Sequence, residues 1–172
     1  MMKMDTVKSW GMIMKILNNW VTDRLRELYT PSDKAHGFVY MVKDREAGKY
    51  YIGKKQVVKD VPLGKKEIKK LIDAGEYDKR KKNKKRVPTD WKTYKTSCKV
   101  LKQRIDDAGV RKNELFDFIV LYECYDETTL KYYELKEIML FTAFESVNGY
   151  NDNIQIKQIG AIKDINNRGR KI

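Results

Sequence analysis

Apolar residues fall along this chain in three kinds of pattern, and each predicts a different element. Between residues 6 and 29, Trp10, Ile13, Ile16, Leu17, Trp20, Val21, Leu25 and Leu28 recur at the spacing of one helical stripe, which stops at Pro31-Ser32-Asp33. That spacing predicts an amphipathic helix. A lone helix cannot bury its stripe, so it must dock on its own domain, on a second copy or on a recruiting protein. Residues 37–42 and 49–55 are short, aromatic and β-branched, with Glu46-Ala47-Gly48 between them, and predict a β-hairpin. The continuous run Phe118-Ile119-Val120-Leu121-Tyr122, within 116–125, predicts a strand buried on both faces.

Three further helices follow from the same reading. Over 65–74, Ile68, Leu71 and Ile72 point inward, with lysines outside and Gly75 as the stop. Over 91–107, Tyr94, Cys98, Leu101 and Ile105 share a stripe that ends at Gly109. Over 127–144, Asp126 supplies the N-cap. Residues 76–88 have no apolar period and predict a loop, and the tail after Asn151 is expected to be loosely held. The order hairpin, helix, helix, strand, helix defines an α+β fold: a small three-stranded sheet, made of the hairpin and a central strand, flanked by helices and preceded by an extra N-terminal helix. The expected organisation is an extension over 1–33, one domain over 34–152 with a basic insert at 65–88, and a basic tail over 153–172.

Charge narrows the class of partner. Lys and Arg number 37 against 24 Asp and Glu, a net charge of +13. The excess is concentrated between Lys65 and Arg86, where eleven basic residues face four acidic ones. Such a field attracts polyanions, nucleic acid foremost, although a solvated lysine face would look the same from composition. Two cysteines and one histidine leave no Cys/His zinc site and no disulfide framework, so Cys98 and Cys124 are expected to be reduced and buried, and His36 to lie at the surface. The opening residues lack the apolar core of a signal peptide or membrane span, which leads to the expectation of a soluble cytoplasmic protein.

Candidate chemistry comes from two places. On the last helix, Leu130, Tyr133, Ile138, Phe141 and Phe144 define the apolar face, and Glu134 and Glu137 fall inside it. An inward carboxylate is costly unless it is paired, hydrogen-bonded or metal-bound, so each is either an edge ion pair or a functional acid. In the hairpin, alternation places Tyr51, Gly53 and Lys55 on one face, and Gly53 leaves room for a close neighbour; strand tyrosines such as Tyr40 and Tyr51 otherwise simply pack.

Together these pieces resemble a known family. A Gly37-Phe38-Val39-Tyr40 strand followed about ten residues later by Tyr51-Ile52-Gly53 is similar to the paired motif of the GIY-YIG nucleases. The Tyr94-Lys95-Thr96-Ser97 segment, the strand at 116–125, the Tyr133-Glu134 helix and Asn148-Gly149-Tyr150-Asn151 follow in the family's order, similar in particular to small phage-encoded homing-type members. The resemblance implies an endonuclease that hydrolyses double-stranded DNA with one Mg²⁺ or Mn²⁺. Tyr40 would be the general base, Tyr51 a hydrogen-bonding partner of the nucleophile or phosphate, and Glu134 the metal ligand, with Glu137 as fallback. Free phenols titrate near pH ~10, and Lys54, Lys55 and the metal are expected to favour the phenolate. The family's helix arginine is missing, since 65–74 contains only lysines. Arg86 is the expected replacement, Arg80 the second, and Lys55 a partial substitute without the bidentate fork. Lys54, Lys65, Lys66, Lys69, Arg80, Lys84, Lys85, Tyr94 and Asn151 complete the expected DNA contacts, with Asn151 either holding the substrate backbone or bracing the site. A free-standing enzyme in a phage-infected bacterial cytoplasm fits this picture. The competing readings are a catalytically silent nucleic-acid-binding module on the same fold and a basic RNA-associated protein.

Overall fold

The computed structural model describes residues 20–79, 83–145, 147–152 and 165–172. Its centre is a mixed sheet built on the three expected strands. Strand β1 is Val21–Thr22, β2 Gly37–Asp44, β3 Lys49–Gln56, β4 Val58–Pro62, β5 Lys84–Pro88, β6 Phe116–Cys124 and β7 Gly169–Lys171. The helices are α1 (Lys65–Asp73), α2 (Lys99–Asp107), the short α3 (Lys112–Leu115) and α4 (Glu127–Leu140). The sheet order is β1-β6-β2-β3, and β7 adds to β6 beyond the end of β1. The hairpin turn closes as the sequence predicts, with Gly48 at φ 67° and the Ala47 N–H donating to Asp44 Oδ1 at 2.9 Å.

No helix runs through residues 20–29. Trp20 and Tyr29 are both buried, but a tight antiparallel loop carries them inward, with the Tyr29 N–H donating to the Trp20 carbonyl at 2.9 Å and Arg26 at φ 56°. Val21 and Thr22 pair in parallel with Ile119 and Val120, while Leu25 and Leu28 stay exposed. A loop that folds back brings aromatics nine residues apart to one face as effectively as a helix would, so the stripe was ambiguous from Trp20 onward. The earlier part, and with it any dimer or recruiting contact, lies outside the described residues.

Other elements also depart from expectation. Lys84–Pro88 is not loop but a strand paired with β4, in register from Val58↔Pro88 to Pro62↔Lys84. A two-stranded ribbon wet on both sides has little reason to carry an apolar period, and Val61 and Val87 are only half-buried. Within the insert, Ile72 is exposed rather than inward. The helix expected over 91–107 begins only at Lys99, because Asp90, Thr93 and Thr96 form local turns: the Thr93 and Tyr94 N–H groups donate to the Asp90 carbonyl, and the Cys98 N–H to Thr96 Oγ1. Helix α4 is capped by Asp126 as expected but ends at Leu140, Thr142 turns to φ 48°, and Phe141 and Phe144 remain partly exposed. The chain's last residues are docked, with the Tyr125 N–H on the Arg168 carbonyl and the Ile172 N–H on the Leu121 carbonyl. Both thiols are free, and Cys98 is only half-buried.

Two cores sandwich the sheet. On one face Trp20, Tyr29, Phe38, Tyr40, Trp91, Leu101, Ile105 and Phe118 form an aromatic cluster; on the other Val39, Met41, Ile52, Leu121, Tyr133 and Ile138 pack under α4. Strand β3 is the open edge of this sheet, and residues 148–151 close part of it. The Tyr50 N–H donates to the Asn148 carbonyl and the Tyr150 N–H to the Tyr50 carbonyl. A side chain at Gly149 would drive its Cβ to 1.9 Å from the Ala143 carbonyl oxygen, so only glycine passes there. Where α4 and the aromatic core both reach β3, the candidate site forms.

Candidate active site

The site is organised around a missing side chain. Register places Tyr40 opposite Gly53, and a Cβ built at Gly53 would lie 2.7 Å from the Tyr40 hydroxyl and 2.8 Å from Tyr51 Cε1. Both phenols therefore occupy the space that any other residue would fill. Their ring centroids are 6.1 Å apart, and Tyr94 adds a third ring 5.9 Å from Tyr40. The Tyr40 and Tyr94 hydroxyls lie 3.2 Å apart, and Tyr51 shares a 2.7 Å hydrogen bond with Ser97. Trp20 backs Tyr40 at 4.8 Å, which fixes the ring from behind.

From the other side of β3, α4 brings in Glu134. Its carboxylate is paired with Lys54, one residue beyond Gly53, and lies close enough to Tyr51 for its charge to oppose ionisation of that phenol. Lys55 turns the opposite way, donating to Asp90 at 2.5 Å with its ammonium 4.3 Å from the centre of the Tyr94 ring. Around β3 the structure thus sets Tyr40, Tyr51, Tyr94 and Lys55 on one face of the sheet and Lys54 with Glu134 on the other. A cleft of 710 Å³ opens there, lined by Lys54, Lys55, Lys59, Asp90, Tyr94 and Glu127 among others.

The electrostatics differ from the expectation. Burial, and then the neighbouring Tyr94 and Tyr51 phenols, push Tyr40 well above the ordinary phenol value. Burial pushes Tyr51 up to about 12, with Tyr94 and Glu134 adding to it and the Ser97 hydrogen bond opposing it. The two lysines do not stabilise the phenolates because each is bound to its own carboxylate. Both hydroxyls are protonated at neutral pH.

Other expected residues separate into groups. Asn151 braces the fold: its Oδ1 accepts from the Ile52 N–H at 3.0 Å and its Nδ2 donates to the Ile52 carbonyl at 2.8 Å. Buried, with its oxygen and one amide N–H on Ile52, it is positioned to hold the 148–151 segment to β3. Lys65, Lys66 and Lys69 are exposed along α1, as are Lys84 and Lys85 on β5, the last paired with Glu67. Arg86 is exposed opposite Asp60, two residues from Pro88 at the cleft wall, and is not among the lining residues. Arg80 lies outside the described residues. Glu137 is buried and hydrogen-bonded to the Tyr122 phenol, away from the tyrosine cluster. His36 is half-buried rather than at the surface, 3.1 Å from Glu127, which Gln56 also contacts.

Sequence reasoning missed Ser97 and Asp90 as partners of Tyr51 and Lys55. The run of hydroxyl and acidic residues between Thr89 and Ser97 was the available signal, overridden by the apolar stripe that suggested helix.

Among the described residues no three His, Cys, Asp or Glu side chains form a metal-binding group. The Glu134 carboxylate is nonetheless a hard oxygen donor of the kind Mg²⁺ or Mn²⁺ takes, since Mg²⁺ keeps several waters and needs only one or two protein carboxylates.

The family model described as "Putative endonuclease segE, GIY-YIG domain" matches residues 20–154. Most of the chain lies in that match, and the protein belongs to the GIY-YIG endonuclease family, of segE type. Family membership implies endonuclease activity and a DNA substrate. No curated protein and no solved structure matches the chain. No helix among the described residues is long and apolar enough to cross a membrane.

Proposed function

We propose that this protein is a divalent-metal-dependent endonuclease that hydrolyses phosphodiester bonds of double-stranded DNA. The observation that supports the reading is the packing of Tyr40 and Tyr51 into the gap at Gly53, with the Glu134 carboxylate on Lys54 near enough to act on the Tyr51 phenol and a lysine-lined cleft adjoining them. The exposed lysines of α1 and β5 supply sequence-independent affinity for the backbone, which falls as salt rises. The segE likeness favours a phage-encoded enzyme working in a bacterial cytoplasm.

In this scheme Tyr51, protonated at neutral pH, donates a hydrogen bond to a phosphate oxygen from a position held by Ser97. Tyr40 takes the proton of the attacking water after passing its own to Tyr94, which is half-exposed and releases its hydroxyl proton to solvent in the cleft. Glu134 would hold the cation, with waters completing its shell. When bound there, the cation supplies positive charge that offsets the charge growing on the phosphate.

Supercoiled plasmid incubated with the pure protein and Mg²⁺ or Mn²⁺ tests this. Nicking that EDTA abolishes, and that Glu134→Ala lacks, supports the reading. Gel retardation with no cut under any of these conditions replaces it with a binding module.

A further inference from the structure

The carboxylate assigned to metal binding already has a cation on it. Lys54 engages Glu134 Oε2, and the two side chains are only 33% and 20% exposed, so water screens the pair less than an ordinary surface one. Two more observations bear on this contact. Helix α1, Lys-Lys-Glu-Ile-Lys-Lys-Leu-Ile-Asp, carries no arginine to hold the substrate phosphate. Lys54 and Lys55 both border the cleft that Lys59 and Tyr94 also line, Lys55 held by Asp90 and Lys54 by Glu134.

We propose that Lys54 is a displaceable cation: it neutralises Glu134 until a divalent ion binds there, and then turns into the cleft to hold the substrate phosphate. The phosphate half of this rests on the nuclease reading; the exchange at Glu134 does not. Three physical points support it. One carboxylate cannot keep an ammonium and a divalent ion in contact, because the two cations repel each other. A lysine is a point charge on a flexible four-carbon stem, so it leaves a carboxylate more readily than the two-pronged guanidinium of an arginine. Its place on the edge strand and on the cleft wall lets the stem turn from Glu134 into the cleft. The clamp thus becomes available only once the metal has arrived, which couples the two binding events.

The first test is direct Mn²⁺ titration, with free Mn²⁺ read by electron paramagnetic resonance, on the wild-type protein, Lys54→Met and Lys54→Arg. Lys54→Met keeps most of the apolar stem and is the safer variant for folding. Removing the competitor should tighten Mn²⁺ binding about two- to five-fold in Lys54→Met, the worth of a partly shielded pair, and Lys54→Arg should weaken it. Unchanged or weaker Mn²⁺ binding in Lys54→Met overturns the exchange. The second test needs no metal. Neutralising the carboxylate in Glu134→Gln should free Lys54 and steepen the salt dependence of duplex binding by about 0.9 in log–log slope, one extra phosphate contact. The Glu134→Gln/Lys54→Met double variant should return to the wild-type slope. An unchanged slope in Glu134→Gln overturns the clamp. If the wild-type protein never cuts DNA yet Lys54→Met binds Mn²⁺ more tightly, the nuclease reading fails while the exchange stands.

Discussion

Gly53→Ala is the sharpest probe of how the site is built. The added Cβ would stand 2.7 Å from the Tyr40 hydroxyl, 2.8 Å from Tyr40 Cζ and 2.8 Å from Tyr51 Cε1. Ordinary contact begins near 3.4 Å, so both rings must retreat by roughly 0.7 Å. Neither has an easy path. Tyr40 is fully buried with Trp20 against it, and Tyr51 is tied to Ser97. Overpacking of this kind costs about 1–3 kcal/mol, which for a chain this size lowers Tm by roughly 3–10 °C. Catalysis should suffer more, because a displacement approaching 1 Å at a reacting group costs about 10²-fold in rate. The assay is the single-turnover nicking rate of supercoiled plasmid, measured well below the variant's Tm and beside its thermal melt. Gly64→Ala is the control, since its Cβ would meet only Glu67 Oε2, at 3.4 Å. A Gly53→Ala protein that cuts within three-fold or so of wild type would refute the idea that the two phenols act from the positions Gly53 allows.

Three further outcomes follow from named groups. Glu123, fully buried in β6, accepts from the Tyr29 hydroxyl, the Ser32 N–H and hydroxyl, and Arg170, so it ties the segment before β2 and the chain's last strand to the centre. Glu123→Ala should lower stability by about 3 kcal/mol in urea unfolding, and a loss under 1 kcal/mol would mean the network carries no weight. For Asp44, burial alone would raise the carboxyl pKa, but hydrogen bonds from the Ala47 N–H, Arg104 and Tyr150 outweigh it and the net shift is downward. Its contribution is therefore complete above the unfolded value near ~3.9 and is lost as pH falls through the lower folded value. The stability gap between wild type and Asp44→Asn should narrow below about pH 4, and a constant gap across that range contradicts the assignment. The raised pKa values of Tyr40 and Tyr51 predict a nicking rate that climbs about ten-fold per pH unit from 7 to 9 if a phenolate is the base. A flat profile would show that both phenols act only as hydrogen-bond donors.

Which parts were legible in the sequence follows from where their causes lie. The hairpin and β6 were readable because burial on both faces leaves unbroken apolar and aromatic runs, Phe38 to Val42 and Phe118 to Tyr122. Glu134 could be singled out as a carboxylate on an apolar stripe, whereas Tyr40 and Tyr51 stood out only through the resemblance of their strands to the GIY-YIG motif. Strand β1 was hidden because two residues are too short for any period. The β4–β5 ribbon was hidden because it buries too little to need one. Glu123 was in plain view as an acid inside an apolar strand, but its donors lie more than 40 residues away in either direction. The part the lysines play at the tyrosines was not legible for the same reason. The lysines beside Gly53 are near in sequence, yet their charges are absorbed by Asp90 and Glu134, and only the folded chain brings those acids to them. Asn151 was expected to hold substrate or brace the site. Bracing won, because the open edge at Ile52 needs both of its polar atoms.

The claim on which the account stands is that Tyr40 and Glu134 belong to one cutting centre. Single-turnover nicking in Mn²⁺ by Tyr40→Phe, Glu134→Gln and the double variant measures this directly. Groups that act as a unit are not additive: each single change should cost about 10³-fold or more, and the double should be no slower than the worse single. Losses that simply multiply, or a Tyr40→Phe protein that cuts at the wild-type rate, would contradict it.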